Sequence, residues 1–293
     1  MGGASQPWRL GSARMTQIFR DGLLDDQVAI VTGGGSGIGR TCAIELASLG
    51  AHVVVFGRRE EPLTETCALV PSGRCEAVVC DIREEDQVDA AVEGVVARHG
   101  RIDLLVNNAG GQFLTPAELI TPKGFRTVIR LNLEGTWLMT HAVATKAMIP
   151  GGGGKVVSIT MTPHTGLPGM THSSASRAGI ESLMKTLSIE WARFDIRLNA
   201  IAPGIVGTDT FLTKYPPQFV SGAAETVPLQ RLGTPEQIAW MVCQLASPAG
   251  DYTTGSVITI DGARDNHIGA WPPERELDPD GKPAQEVRKP RDT

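Results

Sequence analysis

Residues 27–46, QVAIVTGGGSGIGRTCAIEL, decide the fold. Gln27 to Thr32 is an apolar run rich in Val and Ile, the composition of a short buried strand. Gly33-Gly34-Gly35-Ser36-Gly37-Ile38-Gly39 follows, and from Arg40 to Leu49 apolar residues return at helical spacing. Strand, glycine turn and helix in that order make an anion cradle. Glycines reach φ > 0 and admit close backbone approach, and the helix N-terminus offers free N–H groups to a phosphate. The spacing G-x-x-x-G-x-G, on Gly33, Gly37 and Gly39, differs from the commoner G-x-G-x-x-G of dinucleotide sites. A glycine loop alone is weak evidence. Its position between a first strand and a first helix gives it weight.

The same alternation continues outward. Gly50 caps the first helix, and His52 to Phe56 is a second strand. A polar helix over about 60–70 leads to a third strand, Cys75 to Cys80, which ends at Asp81. Glu84 to His99 is an amphipathic helix, and Ile102 to Val106 is a fourth strand. A long helix covers roughly 122–148, and Lys155 to Ile159 is a fifth strand after four glycines. A helix running to about Phe194, a strand Ile196 to Ala200, a helix Thr234 to Leu245 and a strand Val257 to Ile260 complete the series. Strands of five or six residues alternating with helices predict one doubly wound α/β domain. Its sheet is seven-stranded and parallel. The domain is expected over 24–263, with an N-terminal extension at 1–23 (Met15 being an alternative start) and a polar, Pro-rich tail at 264–293. The tail reads as disordered or as an arm on a partner subunit. Residues 207–228, which contain Pro216-Pro217, read as irregular.

Composition narrows the function. The chain has 293 residues, 41% of them hydrophobic, with a formal net charge of −5 and no dense basic run. Nucleic acid is therefore excluded as the expected partner. No run is apolar enough to span a membrane, and residues 1–19 lack the apolar core of a secretory signal. Five cysteines without a CxxC pair read as reduced thiols. Six histidines show no ligand spacing, so no metal is expected. A bacterial cytoplasm is the simplest setting, and the C-terminal Arg291-Asp292-Thr293 is no peroxisomal tripeptide.

The second strand ends in Phe56-Gly57-Arg58-Arg59. An NAD site places an acid here for the ribose 2′-hydroxyl, and an NADP site places a cation for the 2′-phosphate. Gly57 carries no acid, while Arg58 and Arg59 can fork onto a phosphate, so NADP is the expected cofactor. The bland alternative is two solvated loop arginines.

With these marks in place, residues 24–263 resemble the short-chain dehydrogenase/reductase family. The resemblance rests on Thr32-Gly33, Gly37-Ile38-Gly39, Asp81, Asn107-Asn108-Ala109-Gly110, Asn132 and Pro203-Gly204. It implies a Rossmann-type domain, usually in homotetramers or homodimers. It also implies cofactor contacts from Gly35 and Ser36 in the glycine turn and from Asp81 and Ile82 at the adenine. Further contacts are implied from Asn108, Ala109 and Gly110 on the adenosine side, and from Pro203, Gly204, Val206 and Thr208 at the nicotinamide amide. The family's chemistry uses a Ser, a Tyr and a Lys four residues later, helped by Asn. Ser173-Ser174-Ala175-Ser176-Arg177-Ala178-Gly179 aligns with Tyr-Ser-Ala-Ser-Lys-Ala-Gly. Ser173 thus stands at the Tyr position, Arg177 at the Lys position and Met161 at the Ser position, and only Asn132 is retained. Asn107 to Glu118, His172-Ser173, Glu190-Trp191-Ala192 and Trp271-Pro272 are similar to peroxisomal trans-2-enoyl-CoA reductases. The 2,4-dienoyl-CoA reductases are relatives that also lack the Tyr.

That resemblance implies reduction of a C=C bond conjugated to an acyl thioester. Such a reaction needs donors aimed at a developing enolate. Thr160, Thr162 and Ser173 can supply hydroxyls, whereas an alkoxide product wants a more acidic donor. Arg177 can hold the nicotinamide ribose as the Lys would. His172, His164 and the lid residue Tyr215 are candidate proton donors. Met161 reads as an apolar wall, and Phe113 and Arg83 match positions near the acyl and CoA ends. Two other readings stay open: a hydroxy/keto oxidoreductase of 3-oxoacyl or terpenoid alcohol type with an unusual donor, and a redox-dead NADP-binding regulatory subunit.

Overall fold

The computed structural model describes residues 19–70, 73–215 and 217–267. All seven strands are present and parallel: β1 (Val28–Thr32), β2 (His52–Gly57), β3 (Cys75–Val79), β4 (Leu104–Asn107), β5 (Gly154–Ile159), β6 (Ile196–Pro203) and β7 (Val257–Ile260). Their order is β3-β2-β1-β4-β5-β6-β7. The chain winds outward from β1 to β3, then returns to lay β4 on the other side of β1. That reversal opens a crevice beyond the C-terminal ends of β1 and β4, where ligands of open α/β sheets bind.

Alternation along β1 sorts the core into two layers. Ala29 and Val31 face a layer built with Leu46 of α1 (Gly37–Ser48) and Ile238 of α10 (Pro235–Ala246). Val28 and Ile30 face the other, with Val92 of α3 (Glu85–His99), Met139 of α5 (Gly135–Val143) and Met184 of α7 (Thr171–Glu190). Both faces of every inner strand are thus buried, which is why the strands read as unbroken apolar runs. Phe56 is wholly buried, a burial worth about 1.5–3 kcal/mol.

The remaining helices are α2 (Glu60–Ala68), α4 (Pro122–Ile129), α6 (Ile149–Gly151), α8 (Asp209–Lys214) and α9 (Pro217–Ala223). The expected long helix is one continuous run in which α4, α5 and α6 are joined by π-helical turns at Arg130–Glu134 and Ala144–Met148. Gly100 ends α3 in the left-handed region, φ 74°, where a side chain would be strained.

Two expectations are corrected. Residues 207–228 are mostly helical: Thr208 caps α8 by accepting from Phe211 N, Pro217 opens α9, and Ala224–Thr226 is a 3-10 turn. Proline at a first helical position is pre-organised, so the same residue that looked like a breaker is a start signal. The ordered chain also runs past Ala263, because Asp265 is bonded to His164. Trp271 and the rest of the tail beyond His267 lie outside the described residues, as do residues 1–18.

Candidate active site

The phosphate turn is built as its sequence demands. Gly33 has φ 65° and Gly37 has φ 50°. A Cβ on Gly39 would stand 2.4 Å from both Gly33 O and Asn108 Nδ2, so no side chain fits there. Asn108 Nδ2 donates to Thr32 O at 3.0 Å and Gly33 O at 3.3 Å, and Thr32 Oγ1 accepts from Asn108 N and Ala109 N. The Asn107–Gly110 turn therefore braces the glycine turn directly. From behind, Arg40 donates to Gly35 O and Glu65 and reaches Thr66, pinning the turn to α2. Ser36 begins α1 without using its side chain as a cap. Ile38 packs on the core. Thr208 Cγ2 would lie 3.3 Å from a Cβ on Gly37, so the segment after β6 closes over this turn. Gly204 N donates to Ile260 O, and Val206 is buried in a bridge to Gly233.

At the adenosine edge, Arg58 and Arg59 are exposed at the end of β2. Asp81 is held below the usual carboxylate range by hydrogen bonds from Arg83, with Arg58 adding to the effect. Arg83 grips Asp81 through Nε at 2.9 Å and Nη2 at 2.5 Å. The structure thus pairs the guanidinium with Asp81. Ile82 is buried against Gly135.

The reacting centre is organised differently from the expectation. Ser173 is buried, and its Oγ donates to Gln112 Oε1 at 2.7 Å, with Met161 Sδ at 3.5 Å. Gln112 Nε2 in turn donates to Tyr215 Oη at 2.9 Å. Tyr215 sits at the end of α8, stacked on Phe219 and tilted against Phe211. The three polar groups make one row from α7 to the end of α8. Tyr215 accepts in that row, which leaves its own O–H to donate elsewhere.

Asn132 lies in the first π-helical turn and touches none of the three. Its Oδ1 accepts from Gly111 N, and its Nδ2 donates to Gly111 O and Ser176 Oγ. It clamps the backbone next to Gln112. Thr160 and Thr162 are corrected. Thr160 Oγ1 bonds Glu181 and Ile201 O, and Thr162 Oγ1 bonds Pro203 O. Successive residues of an extended chain point to opposite sides, so Met161 faces Ser173 and both threonines turn away.

His172 is buried, and its Nδ1 accepts from Ser173 N while Nε2 has no hydrogen-bond partner. Burial pushes its imidazole below the ordinary histidine value, so it is neutral near pH 7 and a poor proton donor. Phe113 meets it edge-on at 4.2 Å. His164 is drawn off by Asp265 at 2.5 Å and Glu181 at 3.2 Å. Arg177 donates through Nη1 to Ile159 O at 2.6 Å. A Cβ on Gly110 would lie 2.3 Å from Arg177 Nη2, so the guanidinium passes directly under the Gly110 backbone. Burial pushes it down to about 10, which keeps it charged at neutral pH.

Gln112, Glu181, Arg40 and Asp265 carry these arrangements and have no motif. Gln112 alone had a signal, standing two residues after the Asn107–Gly110 turn. A cleft of about 560 Å³ opens elsewhere, lined by Gly100, Arg101, Gly152 and Lys155 among others, and no expected site residue lines it.

A doubly wound sheet, a glycine cradle at its switch point and a polar row facing it define a dinucleotide-dependent oxidoreductase. Residues 33–263 match the profile described as enoyl-(acyl carrier protein) reductase. The chain belongs to this branch of the short-chain dehydrogenase/reductase family. It is 34% identical to the peroxisomal 2,4-dienoyl-CoA reductase of Arabidopsis thaliana, over 85% of this chain and 87% of the relative. The Danio rerio enzyme of the same name is also 34% identical, over 88% and 86%. Among solved structures, a citronellol catabolism dehydrogenase of Pseudomonas aeruginosa PAO1 is 43% identical with a TM-score of 0.76, covering 85% of this chain and 98% of that one. A short chain dehydrogenase from Bacillus anthracis is 35% identical with a TM-score of 0.78, covering 85% and 100%. No helix among the described residues is long and apolar enough to cross a membrane.

Proposed function

We propose that the protein is an NADPH-dependent reductase of a C=C bond conjugated to an acyl thioester, of the enoyl-CoA or dienoyl-CoA class. The row Ser173–Gln112–Tyr215 carries this reading, because it offers a phenol from the lid where the usual helix tyrosine is replaced. The 2,4-dienoyl-CoA reductase relatives support it.

The residues present fit a dinucleotide. The glycine cradle excludes side chains, α1 offers its free N–H groups, and Arg177 lies under Gly110 as a charge for the ribose. Arg58, with no acid at Gly57, favours the 2′-phosphate. When bound, the nicotinamide supplies a hydride. Gln112 Nε2 keeps a second N–H, which polarises the thioester carbonyl. Tyr215 gives its phenolic proton to the carbon next to that carbonyl. Met161 and Phe113 wall the acyl chain. Self-association into homodimers or homotetramers is part of this reading, and light scattering tests it.

The name of the 43% identical neighbour favours a second reading, oxidation of a terpenoid alcohol. One assay separates the two: follow NADPH and NADH with crotonyl-CoA, a longer 2-enoyl-CoA, a 2,4-dienoyl-CoA and a β-keto thioester, and follow NADP reduction with citronellol. Turnover of the unsaturated thioesters with NADPH is expected. Turnover only of the alcohol or keto substrates supports the second reading, and cofactor binding with no turnover sinks both.

A further inference from the structure

Three side chains that the reductase reading leaves unused meet at the far end of the sheet. His52 begins β2, Glu76 is the second residue of β3, and His99 is the last residue of α3. In a parallel sheet these N-terminal strand ends lie opposite the nucleotide crevice. His52 Nε2 and His99 Nε2 each stand 2.9 Å from one oxygen, Glu76 Oε1. The other oxygen, Oε2, accepts from Arg98 Nε at 3.0 Å. The two imidazoles pack 4.3 Å apart.

A shared hydrogen-bond acceptor does not account for this cluster. His99 Nε2 is buried and, although close to Oε1, is not aligned to bond it and has no hydrogen-bond partner. A buried imidazole nitrogen left in this way destabilises the fold. A cation placed among the three atoms would satisfy it. The ligand atoms all lie within 4.8 Å of one another. Tetrahedral zinc, with bonds of about 2.0–2.2 Å, wants ligand atoms roughly 3.3–3.6 Å apart, so small side-chain movements complete the site. Imidazole nitrogens and one carboxylate are donors suited to zinc among divalent ions. Arg98, by holding Oε2, turns Oε1 towards the histidines, the task an outer hydrogen bond performs for a metal-binding carboxylate.

We propose that His52, Glu76 and His99 form a zinc site that ties the end of α3 to the starts of β2 and β3. Its fourth position is left to water. The three residues are too far apart in sequence to form a motif, so histidine spacing predicts no metal here. The site is structural, since it lies across the sheet from the reacting groups. Cys67 and Cys75, whose sulfurs meet at 2.7 Å, are the competing ligands to exclude. They belong to the opposite face of β3, because Cys75 and Glu76 are successive residues of one strand.

The full chain, stripped with EDTA, is titrated with Zn2+ by calorimetry and with Co2+ by visible absorption. One ion per chain is expected in the wild type and in the C67S/C75S variant. Zinc affinity is expected to fall by more than about tenfold in H52A, H99A and E76Q. E76Q keeps the shape of the side chain, so it decides the matter if a histidine variant fails to fold. Zinc is expected to raise the melting temperature of the wild type and not of E76Q. The proposal is overturned if the wild type binds no zinc, if E76Q binds as tightly as wild type, or if cobalt shows a thiolate charge-transfer band that C67S/C75S abolishes.

Discussion

Arg177 and Gly110 are matched to each other. Replacing a Lys by the longer guanidinium works here because position 110 has no side chain to collide with it. Gly110→Ala displaces Arg177 Nη2 from its place and weakens the bond to Ile159 O. NADPH affinity is expected to fall by roughly tenfold, read by fluorescence titration, a loss of about 1.4 kcal/mol. Tyr215→Phe keeps the stacking on Phe211 and Phe219 while removing the phenolic proton. If Tyr215 is the acid, kcat on an enoyl thioester drops by about 10²-fold or more with KM little changed. An undiminished kcat would leave water as the donor. Arg58→Glu is expected to reverse the preference for NADPH over NADH, measured as the ratio of kcat/KM values. At this scale the sequence showed which residues stand where, but not which way they face. Thr160 and Thr162 flank Met161, so the two-residue alternation already implied that all three could not face Ser173. The pairing of Gln112 was hidden for another reason: its partner Tyr215 lies 103 residues away.

Between elements, the loop after β5 is strapped to the segment after β7. His164 bridges Asp265 and Glu181, with Thr160 on the same Glu181 oxygen and Arg264 and Asp261 beside Asp265. Asp265 chiefly raises the His164 imidazole above its ordinary value, and His164 in return holds Asp265 below the usual carboxylate range, against the opposing effect of its own burial. The histidine's contribution is fully present below about pH 6.5 and fades as pH rises through its raised value. The aspartate's contribution is present above about pH 3.9 and fades as pH falls through its lowered value. The strap is therefore tightest in the mildly acidic window between them. Hydrogen exchange of residues 261–267 is expected to quicken as pH is raised from 6 to 9, after correction for intrinsic exchange, and Asp265→Asn is expected to weaken that dependence, leaving the part that Glu181 supplies. Helices α8 and α9 were not legible because neither reaches two turns, too short to show a helical period.

For the whole molecule, the seven-stranded parallel sheet and its two helical layers were legible because every inner strand is buried on both faces and reads as an apolar run; the strand order was not, because pairing joins residues far apart in sequence. The proposed cofactor site spans β1, β4, α7 and the segment after β6, so a ligand there would tie together parts of the chain far apart in sequence. If the chain binds NADPH as proposed, the cofactor at about a hundred times its Kd is expected to stabilise the native state by about 2.7 kcal/mol. A melting-temperature rise of roughly 5–10 °C is the expected result in a thermal-shift assay, with a smaller rise for NADH. The contact between Ser173 and Gln112 also bears on how such a protein can change its chemistry. A tyrosine at position 173 pointing where Ser173 Oγ points would run into the Gln112 amide and the Met161 sulfur, so that residue does not fit there by one substitution. Shrinking Gln112 to make room also removes the amide that links Ser173 to Tyr215, so the space for a tyrosine comes at the expense of the present row. A laboratory route to a tyrosine at position 173 should therefore begin by shrinking Gln112.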